Sequence, residues 1–206
     1  MAPAVKRAIW IGLLVVLLLA MFLSTKRVDS NSAEGAPAGA FSPAKWGQEN
    51  FPKVQQAIEK RAVDGKTLAA AVQADPQAAV KKYGVTTGTG SEVSVKFTGT
   101  AGKAEAGIYP VTVAGLPKGF LIRIQTGPAI NGTDLRDAPG NIKFGQFTNQ
   151  IDYQNAGAAL NAQLKKQVLS KVDTANLTGK TVTVVGAFQL INPKGWLVTP
   201  AKLSVQ

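Results

Sequence analysis

The sequence predicts an α+β fold in which short N-terminal helices pack on a five-stranded β-barrel with one helix between strands three and four. Three observations predict it. Apolar residues recur at helical spacing between Pro43 and Tyr83. The period changes to two after Gly90, and a helical tract from about Tyr153 to Ser170 then separates three strands from a final two.

Before the barrel come a leader and a tether. Lys6 and Arg7 precede an uninterrupted apolar run from Ala8 to Leu23. As a helix, those residues span roughly 24 Å at 1.5 Å each. The run has no polar face, which argues against a core helix of a soluble domain. A cleaved signal peptide and an uncleaved signal anchor both fit. The anchor is favoured because Met21, Phe22 and Leu23 are too bulky for a small-x-small cleavage site. The basic N-terminus points inward, leaving the rest of the chain outside the cytoplasm. Residues 29–44 are small and polar and read as a flexible tether. The organisation predicted is a signal or membrane anchor over 1–28, the tether over 29–44 and one α+β domain over 45–206.

Within the domain, Ser42-Pro43 starts a helix carrying Trp46, Phe51, Val54 and Ile58, with Pro52 expected to interrupt it or begin a second. Asp64-Gly65 breaks the pattern, and Thr67 is the expected cap of the next helix. Asp75-Pro76 opens a third, and Gly84 closes it. Thr86 to Gly90 reads as a linker. Val93, Val95 and Phe97 then alternate with polar residues. Lys103 to Val113 and Phe120 to Gln125 continue in that style, separated by a turn at Leu116-Pro117-Lys118-Gly119. Gly127-Pro128 is a sharp corner. After the helical stripe of Ala156, Ala159, Leu160, Leu164 and Val168 come strands over 180–190 and 196–205, joined by a turn at Asn192-Pro193-Lys194-Gly195. This order is that of an OB-like barrel, and Gly186 suits a barrel bend.

Composition narrows the chemistry. The chain has no Cys and no His. Disulfides, thiol chemistry, histidine triads and ordinary zinc sites are therefore excluded, and no cofactor or metal is expected. From Phe41 onward there are 19 basic and 10 acidic side chains. That surplus suits anionic lipid, nucleic acid or acidic ligands.

One polar cluster stands out, from Gly127 through Ala138 and again from Phe144 to Gln150. Arg136 has the geometry to hold an anionic or sugar-like ligand bidentately. Thr133, Asp134, Asp137, Asn149 and Gln150 are the other candidate ligand-binding residues. The competing expectation is an internal network that pins a barrel corner to the start of the helix.

Gly127-Pro128, then Gly-Thr-x-Leu-Arg-Asp-Ala over 132–138, Phe-Thr-Asn-Gln-Ile over 147–151 and Gly-Lys-Thr-Val through Gly-Ala-Phe over 179–188 resemble the DUF2291 family. The resemblance runs from about residue 45 to the end. It implies a periplasmic lipoprotein of unassigned activity, encoded beside sugar-type ABC transporters and therefore accessory to solute uptake. This chain departs from the lipoprotein pattern, since no Cys follows its apolar run.

The function expected is that of a non-enzymatic, membrane-tethered periplasmic accessory or ligand-binding protein. It is held as a single pass in the inner membrane through residues 8–23 and works with an ABC transporter or a solute-binding protein. The alternative is an OB-like module binding nucleic acid or another polyanion. An extracytoplasmic location and the lack of a dense aromatic platform count against it. Acid–base chemistry on a glycan by Asp134 and Asp137 is a third reading. A homo-oligomeric envelope component with Trp46 and Trp196 as interface anchors is a fourth.

Overall fold

The computed structural model describes residues 3–24, 40–88 and 90–206. They fall into two compact units, Met1–Ala40 and Phe41–Gln206. In the first, helix α1 spans Pro3–Ser24, and its side chains from Trp10 to Phe22, where described, are exposed. Among the described residues, no helix is long and apolar enough to cross a membrane. The expected single-pass span is therefore not met by a described helix. Its 16-residue apolar run falls short of the ~20 residues that a bilayer core requires. Most of the expected tether, residues 29–39, lies outside the described residues.

The second unit begins with α2 (Pro43–Arg61). It runs unbroken through Pro52, against the expected interruption. Phe51, Val54 and Ile58 are at most 3% exposed, and that burial outweighs the one helical bond Pro52 cannot make. A two-residue strand, β1 (Val63–Asp64), leads into α3 (Gly65–Ala74). Asp64, rather than Thr67, caps α3, because its carboxylate accepts from the backbone N–H groups of Lys66 and Thr67. Asp75 does the same for α4 (Pro76–Tyr83), and Gly84 ends it. The expected linker begins as a strand, β2 (Gly84–Thr87), which folds back antiparallel on β3 (Gly90–Ala101) with Thr87 opposite Gly90. Threonine has good strand propensity, and pairing along the edge of β3 draws the stretch into the sheet despite its glycines.

β4 (Ile108–Thr112) and β5 (Leu121–Gln125) complete the first sheet run. A single-turn helix α5 (Asp134–Asp137) and the long α6 (Gln150–Gln167) come next, followed by β6 (Thr181–Gln189) and β7 (Gly195–Val205). The ladder runs β3-β4-β5-β7-β6, and β6 pairs back on β3 over nine residue pairs, which closes a five-stranded barrel. β5 and β7 are parallel, and the other barrel pairs are antiparallel. The barrel on its helical layers is the α+β architecture that the sequence predicts.

Two cores result. Inside the barrel, Val95, Ile122, Ile124, Val184 and Val198 surround Trp196, which stacks on Phe188 at 4.6 Å. Leu68, Ala69 and Val72 of α3 join this cluster. Outside, α2 and α6 pack Phe51, Ile58, Leu160 and Leu164 against Ala187 of β6 and Ala201 of β7. β7 serves both cores through a bulge. The register slips between Val185 and Gly186, so Trp196 and Val198 face the barrel before the slip, and Leu203 and Val205 pack against it afterwards. Gly186 is required there, since a Cβ would lie 2.5 Å from the Thr199 carbonyl oxygen.

Candidate functional site

The polar cluster forms where the outer face of β3 and β7 meets α5 and α6. Alternation on β3 directs Glu92 and Ser94 away from the barrel, ordinarily toward solvent. Here the helical layer covers them, and Glu92 is 1% exposed. Oε2 of Glu92 is buried without a hydrogen-bond partner. Burial, more than the nearby Asp134 and Asp137, raises its pKa to about 8, and Arg136 opposes the shift. Glu92 is therefore protonated at neutral pH.

α5 brings three charged groups to this place. Asp134 accepts a hydrogen bond of 2.5 Å from the Thr199 hydroxyl, which in turn accepts 2.6 Å from the Gln125 amide. Burial raises the Asp134 pKa to about 6, although the Thr199 bond works in the other direction. Arg136 grips its own neighbour: Nε donates to Asp137 Oδ1 at 2.8 Å and Nη2 to Oδ2 at 2.9 Å. Nη1 donates to the Tyr153 carbonyl at 3.1 Å, and the guanidinium lies 3.7 Å from the centroid of the Tyr153 ring. The Tyr153 hydroxyl donates to Asp137 Oδ1 at 3.3 Å. Desolvation and Asp137 raise the Tyr153 pKa. Both Arg136 and Asp137 are nearly fully buried.

Arg136 is thus engaged on every nitrogen, and its two-pronged face belongs to Asp137 rather than to an incoming anion. The arrangement braces the corner after β5 to α6 and β7. It also walls a cleft of about 350 Å³ between β2 and the loop after α5, lined by Thr86, Arg136, Asp137, Lys143, Phe144 and Tyr153. The cleft offers hydroxyls, an ammonium and an aromatic wall, a lining suited to a small polar ligand.

The candidate residues divide between different places. Asp134, Arg136 and Asp137 converge in the buried cluster. Thr133 precedes α5 and faces a second cleft of about 490 Å³, with Asn161 and Lys165. Asn149 caps α6, its Oδ1 accepting from the Asp152 backbone at 2.9 Å. Gln150 is exposed in the first turn of α6. Glu92 and Thr199 escaped sequence reasoning because an alternating strand assigns them to a solvated face. Among the described residues, no group of three or more acidic side chains is placed to hold a metal ion.

The model of a family described as "Predicted periplasmic lipoprotein (DUF2291)" matches residues 13–204. No curated protein matches the chain. Among solved structures, an OB-fold protein from Thermotoga maritima is similar at 18% identity, over 81% of this chain and 99% of that one, with a TM-score of 0.65. At that identity the likeness shows the fold.

Proposed function

The chain belongs to the DUF2291 family, and from that premise we propose that it is a non-enzymatic, membrane-tethered periplasmic protein that binds a small polar ligand or a partner in the service of solute uptake. The observation that carries the reading is the cleft beside Arg136, Asp137 and Tyr153, whose walls are fixed by the buried brace. A wall held in one geometry lowers the ordering cost of binding. The tether reading is supported by the family's description and by α1, whose described apolar side chains Leu13 to Leu19 are about half exposed or more. A protein anchor replaces the lipidated Cys that this chain lacks. The link to a sugar-type ABC transporter or its solute-binding protein follows from the family resemblance.

Nucleic-acid binding through the barrel face is disfavoured by the outward residues of β4 and β5. Pro110, Thr112, Leu121, Arg123 and Gln125 include no aromatic ring on which a base stacks.

The test is a melting series on the Phe41–Gln206 unit with sugars, nucleosides and a periplasmic sugar-binding protein. A ligand in hundredfold excess over its Kd adds about 2.7 kcal/mol, and Tyr153→Ala removes the shift. A flat response to every addition rules the binding role out.

A further inference from the structure

The Phe41–Gln206 unit carries a chain of aromatic rings at the point where the leading segment enters it. Phe41, its first residue, lies 5.5 Å from Phe147 and 6.1 Å from Trp46 by ring centroid. Trp46 and Phe147 are 5.6 Å apart. The chain of rings continues through Tyr153, 5.4 Å from Phe147, to Phe144, 5.8 Å from Tyr153. Its outer member Phe144 is open to solvent, at 50% exposure. Lys45 beside Trp46 and Lys143 beside Phe144 are exposed as well. Lys45 has only a loose partner, Glu49 at 4.0 Å, and such a surface pair is weak.

We propose that this aromatic cap is a bilayer-docking surface, resting in the headgroup layer of the membrane to which the leading helix tethers the chain. The inference builds on the tether reading given above. Three features fit lipid better than another occupant. Amphipathic aromatic rings concentrate at the membrane–water interface. Flanking lysines complement anionic headgroups. The cap surrounds the chain's own point of entry, and sixteen residues separate Phe41 from Ser24, at most roughly 55 Å of chain. A surface with weak intrinsic affinity is effective when it is held that close to its target.

Trp46 makes the proposal readable. The chain has three tryptophans. Trp196 is sealed in the barrel at 0% exposure, so Trp10→Phe leaves Trp46 as the only responsive fluorophore. The full chain carrying Trp10→Phe is reconstituted with vesicles of phosphatidylethanolamine and phosphatidylglycerol, with and without brominated lipid. Flotation reports the tether, and Trp46 emission reports docking. The expected result is a blue-shifted Trp46 emission that brominated lipid quenches. With Lys143→Glu and Phe144→Ser added, flotation persists and the quenching is lost.

Flotation without quenching overturns docking and leaves the tether standing. Equal quenching in the double variant overturns it too. Failure to float sinks the tether reading instead, and the response of Trp46 in the full chain to concentrated vesicles then decides docking.

Discussion

Gly47 of α2 lies against Ala159 of α6 so closely that a Cβ on Gly47 would stand 2.9 Å from the Ala159 Cβ and 3.0 Å from its carbonyl oxygen. The two helices that form the outer layer meet here, with Phe51 and Leu160 buried alongside. A larger residue forces them apart. Gly47→Val lowers stability by about 2 kcal/mol, seen as a lower denaturation midpoint. An unchanged midpoint would mean that α2 is free to shift outward.

Arg136 and Asp137 predict a second effect. Removing one partner leaves the other charge buried and uncompensated, at a cost of about 3–5 kcal/mol. Arg136→Met therefore destabilises strongly. Adding Asp137→Asn recovers part of the loss, since no unpaired carboxylate remains. A double-mutant cycle by urea unfolding measures the coupling, and simple additivity would show that the pair contributes nothing.

Glu92 sets a pH dependence. Its pKa rises from 4.5 unfolded to about 8 folded. Between those values the folded chain holds a proton that the unfolded chain releases, so stability is fully present below about pH 4.5 and falls as pH climbs toward 8. The slope for one such proton is about 1.4 kcal/mol per pH unit. Asp134, raised from 3.8 to about 6, steepens the slope below pH 6. Glu92→Gln cannot ionise, and its stability profile is flatter across that window. Parallel profiles for the variant and the natural chain would show that Glu92 titrates normally.

Asp75 supplies a fourth prediction. Its carboxylate accepts from the Gln77 and Ala78 backbone N–H groups at 2.9 and 3.0 Å. Asp75→Ala costs about 1 kcal/mol and loosens α4, which faster amide exchange at Gln77 and Ala78 detects.

Much of the fold was legible in residue order. Val93, Val95 and Phe97 alternate as inward residues of a half-covered strand must, and all three are buried. Gly186 fits a bend, and the register slip falls beside it. The misreadings share one cause, the priority of tertiary burial over local propensity. Pro52 does not break α2, because the apolar face on either side of it is pressed against α6. The Thr-rich stretch at Thr86 joins the sheet because β3 offers it an edge. The site was half visible. Asp134, Arg136 and Asp137 lie close in sequence and meet in space. Glu92 and Thr199 come from strands 42 and 65 residues away from Asp134. Only the closing of α5 and α6 over the sheet turns their solvated face into an interior.

The ring contacts of Phe41 also bear on mechanics. A tug arriving along the leading chain lands on interlocked aromatic side chains rather than on a strand end. Phe41 hands the load to the first turn of α2 through Trp46 and to the segment before α6 through Phe147. The helical layer takes the strain first, and the nine-pair seam between β3 and β6 is shielded from it.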